Sequence, residues 1–265
     1  MNFKIYICPL ILLIMMLHSC LEVPVDSVTP ANKSFSVSGL LQNNTTVQKI
    51  FLYRGSFIDS IQIEQKLSVS EADVTLTGKK NSFVFHESDS IQGMYVLRNW
   101  RPQGNTKYAL SIQHDDYATV TGETTFPDYG PFNPSFHFDQ SGNLLLSWDD
   151  ITNAYGYFID IYLWRYGYRN GFEEKEHYWG GEIYKKTTFT SIKIDKKFLI
   201  FRNTEVDIKV IISAIDRNYY AYLKFDDAYD PLDFHLIDYG NFSVVDNGLG
   251  FIGSAYADSL IIERD

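Results

Sequence analysis

The chain is poor in cysteine: of 265 residues only Cys8 and Cys20 are cysteines. Everything beyond position 20 therefore lacks a thiol, no disulfide can staple the body of the protein, and its core must hold by packing alone. Basic residues are also scarce, 23 Lys and Arg against 33 Asp and Glu, for a formal net charge of −10. Nucleic acid is bound by clustered cations that displace condensed counterions, and no such stripe exists here, so nucleic-acid partners are not expected. The six histidines are scattered and none forms a His-x-x-x-His pair, which leaves zinc without local support. A Gly-x-Ser-x-Gly nucleophile elbow is missing too. Paired carboxylates are made in space and not in sequence, so an envelope hydrolase stays open as the less favoured reading. No window of a dozen residues carries a sustained i, i+3, i+4, i+7 apolar stripe, and a helical fold is not expected.

What is present begins with the leader. Lys4 precedes an apolar run from Ile5 to Leu17. That run is about 13 residues, short of the ~20 that a membrane-spanning helix needs, and has the layout of a secretory signal peptide. It ends Leu17-His18-Ser19-Cys20, which resembles the lipobox of bacterial lipoproteins, with His18 an unusual residue at its position. The resemblance implies cleavage before Cys20, acylation of its thiol and retention on a membrane through two or three acyl chains, enough for stable anchoring. Cys20 is followed by Leu21 and not by aspartate. By the same resemblance this favours the outer membrane, with the leaflet, periplasmic or extracellular, left open.

The sequence is rich in aromatic residues, 19 Tyr and 19 Phe, and in β-branched ones. These suit a pleated, half-buried surface. Period-two alternation recurs at short intervals: Phe35 with Val37, Ile50 to Tyr53, Val74 with Leu76, Phe83 with Phe85, Tyr95 with Leu97, Tyr108 to Ile112, and Thr119 to Phe126. Pro127-Asp128-Tyr129-Gly130-Pro131 then punctuates the chain. Alternation resumes at Leu144 to Trp148, Tyr157 to Leu163, Thr190 to Ile194 and Val206 to Ala214, and Tyr219 to Phe225 is read as one more strand. The expectation is an all-β protein of two β-sandwich domains in tandem, at 34–127 and 132–265, behind a signal peptide at 1–19 and a lipidated tether at 20–33.

Leu144-Leu145-Leu146-Ser147-Trp148, followed by Ala154-Tyr155-Gly156-Tyr157, looks like the early strands of a fibronectin type III domain. Ala72 to Thr77, Gly93 to Leu97, Tyr108 to Ile112 and the closing Thr124-Thr125-Phe126-Pro127 are similar to the first domain of a two-domain lipoprotein family of Bacteroidetes type, known as a domain of unknown function. Ala214-Ile215-Asp216-Arg217-Asn218-Tyr219-Tyr220 and Asn247-Gly248-Leu249-Gly250-Phe251-Ile252-Gly253-Ser254-Ala255 resemble its second. That resemblance implies a transthyretin-like, regulatory-type first sandwich and a setting beside TonB-dependent outer-membrane transporters.

Few segments look like sites. Trp164, Tyr166 and Tyr168, with Tyr178 and Trp179 further on, sit among Gly, Arg and Asn. They suit either stacking against a sugar or partner protein, or the cover of one face of a long hairpin. Asp226, Asp227, Asp230, Asp233 and Asp238 have oxygen ligands for calcium but lack the alternation of an EF-hand loop, and a solvated acidic loop is the plainer reading. Gly248-Leu249-Gly250 with Gly253 has neither the lysine nor the following helix of a phosphate loop, and reads better as a bend or close backbone approach. Asp-Ser followed by an aliphatic residue, as at Asp89-Ser90-Ile91, resembles an O-glycosylation acceptor of such envelopes. No cofactor is expected. The functional expectation is a non-enzymatic, lipid-anchored outer-membrane protein of binding or accessory type, beside a nutrient transporter. The alternative is a pilin-like structural or adhesive component donating its apolar C-terminal segment Ser259-Leu260-Ile261-Ile262.

Overall fold

A computed structural model describes residues 35–54, 68–169, 172–177, 183–201, 204–205, 207–227 and 243–263. The expected signal peptide, the tether and Cys20 lie outside the described residues. The strands, in chain order, are β1 (Phe35–Gln42), β2 (Val47–Arg54), β3 (Asp73–Gly78), β4 (Asn81–Glu87), β5 (Met94–Arg98), β6 (Thr106–His114), β7 (Tyr117–Phe126), β8 (Ser135–Phe138), β9 (Leu144–Ser147), β10 (Gly156–Arg169), β11 (Phe172–His177), β12 (Ile183–Thr187), β13 (Ser191–Ile194), β14 (Ile200–Phe201), β15 (Thr204–Glu205), β16 (Asp207–Ile215), β17 (Val245–Asp246) and β18 (Leu249–Ile262). One helix, α1 (Arg217–Asp227), stands between β16 and β17.

The period-two pattern becomes an alternation of burial. Along β1 every second residue is buried, Phe35, Val37 and Leu41 among them, because successive side chains of a strand point to opposite faces. One core gathers these with Ile50, Leu52, Val74, Leu76, Tyr108, Leu110, Ile112 and Phe126. β4 joins its two layers: residues 81–85 pair with β3, whereas His86 and Glu87 pair with β5. A second core gathers Leu144, Leu146, Trp148, Tyr157, Ile159, Ile161, Ile194, Val210 and Ile212 between the sheet β13-β9-β8 and the strands β10 and β16. The fold is all-β with two β-sandwich cores, as the alternation predicts.

The cores are not independent, because β18 serves both. Its first half, 249–255, runs parallel to β1, and its second half, 255–262, runs antiparallel to β16, with Ala255 in register with both. Val245 and Ile252 belong to the first core and Ile262 to the second. The segment 243–255 thus completes the sandwich formed by β1 to β7, although the chain places it after the second one. The C-terminal residues that suggested a donated strand are already paired: Leu260 opposite Val210 and Ile262 opposite Ile208. As β18 stands in the sheet, it is not a spare strand.

Aromatic content misleads the reading at 219–225, which is helical and not a strand. Asp216 ends β16 and caps the helix: its carboxylate accepts a hydrogen bond from the Tyr219 N–H at 3.0 Å, and its carbonyl one from the Tyr220 N–H at 3.0 Å. Tyr219, Tyr222 and Leu223, three and four apart, then fall on one face and pack against Ile215 and Ala255. Asp226 and Asp227 lie in the last turn of α1 and not in an acidic loop; Asp230, Asp233 and Asp238 lie outside the described residues.

The tight approach of β18 to β1 depends on Gly250, which has φ +90 and on which a Cβ would overlap the carbonyl of Val37. Close backbone approach, and not phosphate binding, accounts for this glycine. Gly250→Ala adds both a forbidden φ and a backbone clash, and is expected to lower stability by roughly 2–4 kcal/mol in urea titration. A single cooperative transition is expected to persist, since the strand it displaces serves both cores.

Candidate functional site

Three stretches distant in sequence meet at one place. Thr124 is buried on β7, Asp216 at the end of β16 and Ser254 on β18. The Thr124 hydroxyl lies 2.8 Å from Asp216 Oδ2, to which it donates, and 3.0 Å from the Ser254 hydroxyl. The Ser254 N–H donates to Asp216 Oδ1 at 3.1 Å, and its hydroxyl donates to the Thr125 carbonyl at 3.0 Å. Asn218 donates from its side-chain amide to the carbonyls of Glu123 and Ile252. The polar knot therefore ties the first sandwich, the second sandwich and α1 together.

Burial pushes the Asp216 carboxyl above the usual aspartate value, opposed by hydrogen bonds from Tyr219, Ser254 and Thr124. Both of its oxygens are engaged by the fold, which is a structural use of a carboxylate. Aromatic rings run beside it from core to core. Phe126 of the first meets Tyr129 of the proline-rich connection at 5.7 Å, and Tyr129 meets Tyr256 of β18 at 5.2 Å. Tyr256 stacks on Phe132 at 5.2 Å, and Phe132 reaches Tyr157 of the second core at 6.5 Å. Tyr129 also donates its hydroxyl to the Pro102 carbonyl.

Against this knot lies an open cleft of about 450 Å³. Lys107 and Glu123 on β6 and β7 form one wall; Asn153, Ala154 and Tyr155 of the β9–β10 turn and Arg217 of α1 form the other. Lys107 and Glu123 pair at 2.5 Å, and Asn153 donates to the Asn105 side chain. Neither the knot nor the cleft was read from the sequence. The signal available was the density of Thr, Asp, Asn and Ser at the ends of apolar strands, where a buried polar group needs a partner.

The aromatic segment forms a ribbon. β10 pairs with β16 only as far as Trp164↔Asp207 and with β12 only as far as Ile161↔Ile183, yet it continues to Arg169 against β11. Residues 165–169 and 172–176 thus make a two-stranded extension with no third strand among the described residues. Trp164, Tyr166 and Tyr168 occupy alternate positions on it, opposite His177, Lys175 and Glu173. Tyr178 and Trp179 lie outside the described residues. The hairpin is present. Elsewhere among the described residues, no group of three or more His, Cys, Asp or Glu side chains is gathered to hold a metal ion. No helix there is long and apolar enough to cross a membrane. Of the Asp-Ser-aliphatic tripeptides, Asp89-Ser90-Ile91 lies exposed between β4 and β5.

A family model described as Domain of unknown function (DUF4249) matches residues 22–260. Among curated proteins nothing matches. Among solved structures, the chain is similar to the chicken CNTN1 FN1-FN3 domains at 13% identity and a TM-score of 0.31, over 89% of this chain and 69% of that one. It is also similar to a two fibronectin type-III domain segment from chicken tenascin, at 14% identity and a TM-score of 0.26, over 88% and 98%. A third is a chain of a cytokine receptor complex, at 9% identity and a TM-score of 0.29, over 70% and 87%.

Asp216→Ala removes the helix cap and leaves buried donors of Thr124, Tyr219 and Ser254 unsatisfied. It is expected to cost about 2–4 kcal/mol, and Asp216→Asn less. Because the folded-state value is raised, the contribution of this carboxyl to stability is full below the ordinary aspartate range and is lost as pH rises through the folded value. Urea titrations across that window are therefore expected to show Asp216→Asn gaining on the native chain as pH increases.

Proposed function

The chain belongs to the family described as Domain of unknown function (DUF4249), a description that assigns no activity, and we propose that it is a lipid-anchored cell-envelope protein of non-enzymatic binding or accessory type. The observation that carries this reading is the order of segments. A short apolar leader ends at Cys20, and the family-matched span begins at residue 22. The anchor is the acylated Cys20 thiol and the membrane is the outer membrane; the work is done by surfaces of the β-sandwich body. A projecting ribbon is a suitable contact element, since it offers aromatic positions at period two and reaches beyond the sheet that supports it. The similarity to lipoproteins encoded beside TonB-dependent transporters directs the search for the partner to such a transporter.

Two measurements test this. Cells fed a labelled fatty acid are expected to incorporate it into the native chain and not into Cys20→Ala, and only the native chain is expected to sediment with outer membranes. Unlabelled native protein in the soluble fraction refutes the anchor. Pull-down from detergent-solubilised outer membranes is expected to recover a transporter with the native chain, and several-fold less of it with the ribbon variant Tyr166→Ala/Tyr168→Ala. Equal recovery removes the ribbon from the contact.

A further inference from the structure

The cleft beside the knot has a volume of about 450 Å³, within the range of small-ligand sites. Its lining restricts what fits. Two cations, Lys107 and Arg217, and two carboxylates, Glu123 and Asp216, line it. Lys107 is spent on Glu123 at 2.5 Å, and Asp216 is spent on the fold. The formal charges balance, so the cleft presents no excess charge to capture a phosphate or carboxylate. The chain's net charge of −10 further disfavours polyanions. Hydrogen-bonding side chains of both kinds, such as Asn153, line it as well. At its rim Tyr155 is half exposed and is braced by Tyr220, ring to ring at 5.2 Å in an edge-on arrangement. A restrained, exposed aromatic beside neutralised charges and amides matches a ligand with apolar C–H faces and many hydroxyls.

We propose that this cleft is a binding site for a neutral polyhydroxylated ligand of the saccharide class. Tyr155 is the stacking platform, and Asn153 and Arg217 are the hydroxyl partners. The assignment goes beyond the anchored-accessory reading and does not depend on Cys20 or the ribbon. Because β6 and β7 form one wall and the β9–β10 turn and α1 the other, an occupant bridges both sandwiches and stabilises the folded chain by binding it preferentially.

The test is isothermal calorimetry on the full chain in mild detergent, with maltohexaose, xylohexaose and mannohexaose as neutral probes and citrate and inorganic phosphate as anionic ones. Saturable binding of at least one hexasaccharide is expected, with a raised melting temperature. Tyr155→Ala is expected to weaken it by at least about tenfold, as loss of one aromatic contact does, and to lower the ligand-free melting temperature by only a few degrees. Phe189→Ala removes an exposed ring that does not line the cleft, and should bind as the native chain does. Failure of all three hexasaccharides to bind overturns the proposal. So does hexasaccharide binding that Tyr155→Ala leaves intact, or binding of citrate or phosphate alone that Arg217→Gln abolishes. None of these outcomes bears on acylation of Cys20, which is read separately.

Discussion

Parallel pairing of the first half of β18 with β1 is the constraint on which the rest of the molecule depends. A strand that has turned at Asn247-Gly248 must approach β1 closely enough for the ladder from Ser36↔Leu249 to Gln42↔Ala255 to form. Gly250 permits the approach because it carries no Cβ against the Val37 carbonyl. Once that ladder exists, the direction of the chain carries residues 255–262 onto β16, and one strand closes two cores. Each buried aliphatic side chain on it is worth about 1.5–3 kcal/mol, so Ile252 on one core and Ile262 on the other oppose separation of the two halves.

The junction adds specificity to this apolar closure. A buried carboxylate is costly unless its oxygens are satisfied, and Asp216 is satisfied only when β7, β18 and the first turn of α1 are all in place. Misplacing any one of them exposes the cost of the others. The ring series from Phe126 through Tyr129, Tyr256 and Phe132 to Tyr157 fills the remaining space. The proline-rich connection is thus part of a packed seam and not a free linker. A cleft set against such a seam has walls that belong to both sandwiches.

On the proposed reading, function is divided along the molecule: the leader and Cys20 set the address, the ribbon of β10 and β11 is the contact element, and the cleft at the seam holds a ligand. These three regions share no residues, so losing one leaves the others to be measured.

Much of the fold was legible in the sequence. Tyr108 to Ile112 and Ile208 to Ala214 alternate at period two, and a strand with one buried face requires that local pattern. The expected leader ending at Cys20 rests on equally local properties, length and hydropathy. At 219–225 the local signal failed: tyrosines favour strands on average, but Asp216 as a cap and the apolar ground of Ile215 and Ala255 made a helix. The knot was not legible at all, because Thr124, Asp216 and Ser254 are joined by distances in space, spanning more than a hundred residues from Thr124 to Ser254. By itself the sequence determined which residues alternate and which glycines mark turns, both properties of neighbours. Tertiary structure alone decided that the last strand belongs to both sandwiches and that their seam holds a cleft. Strand pairing and polar satisfaction are settled only when distant segments meet.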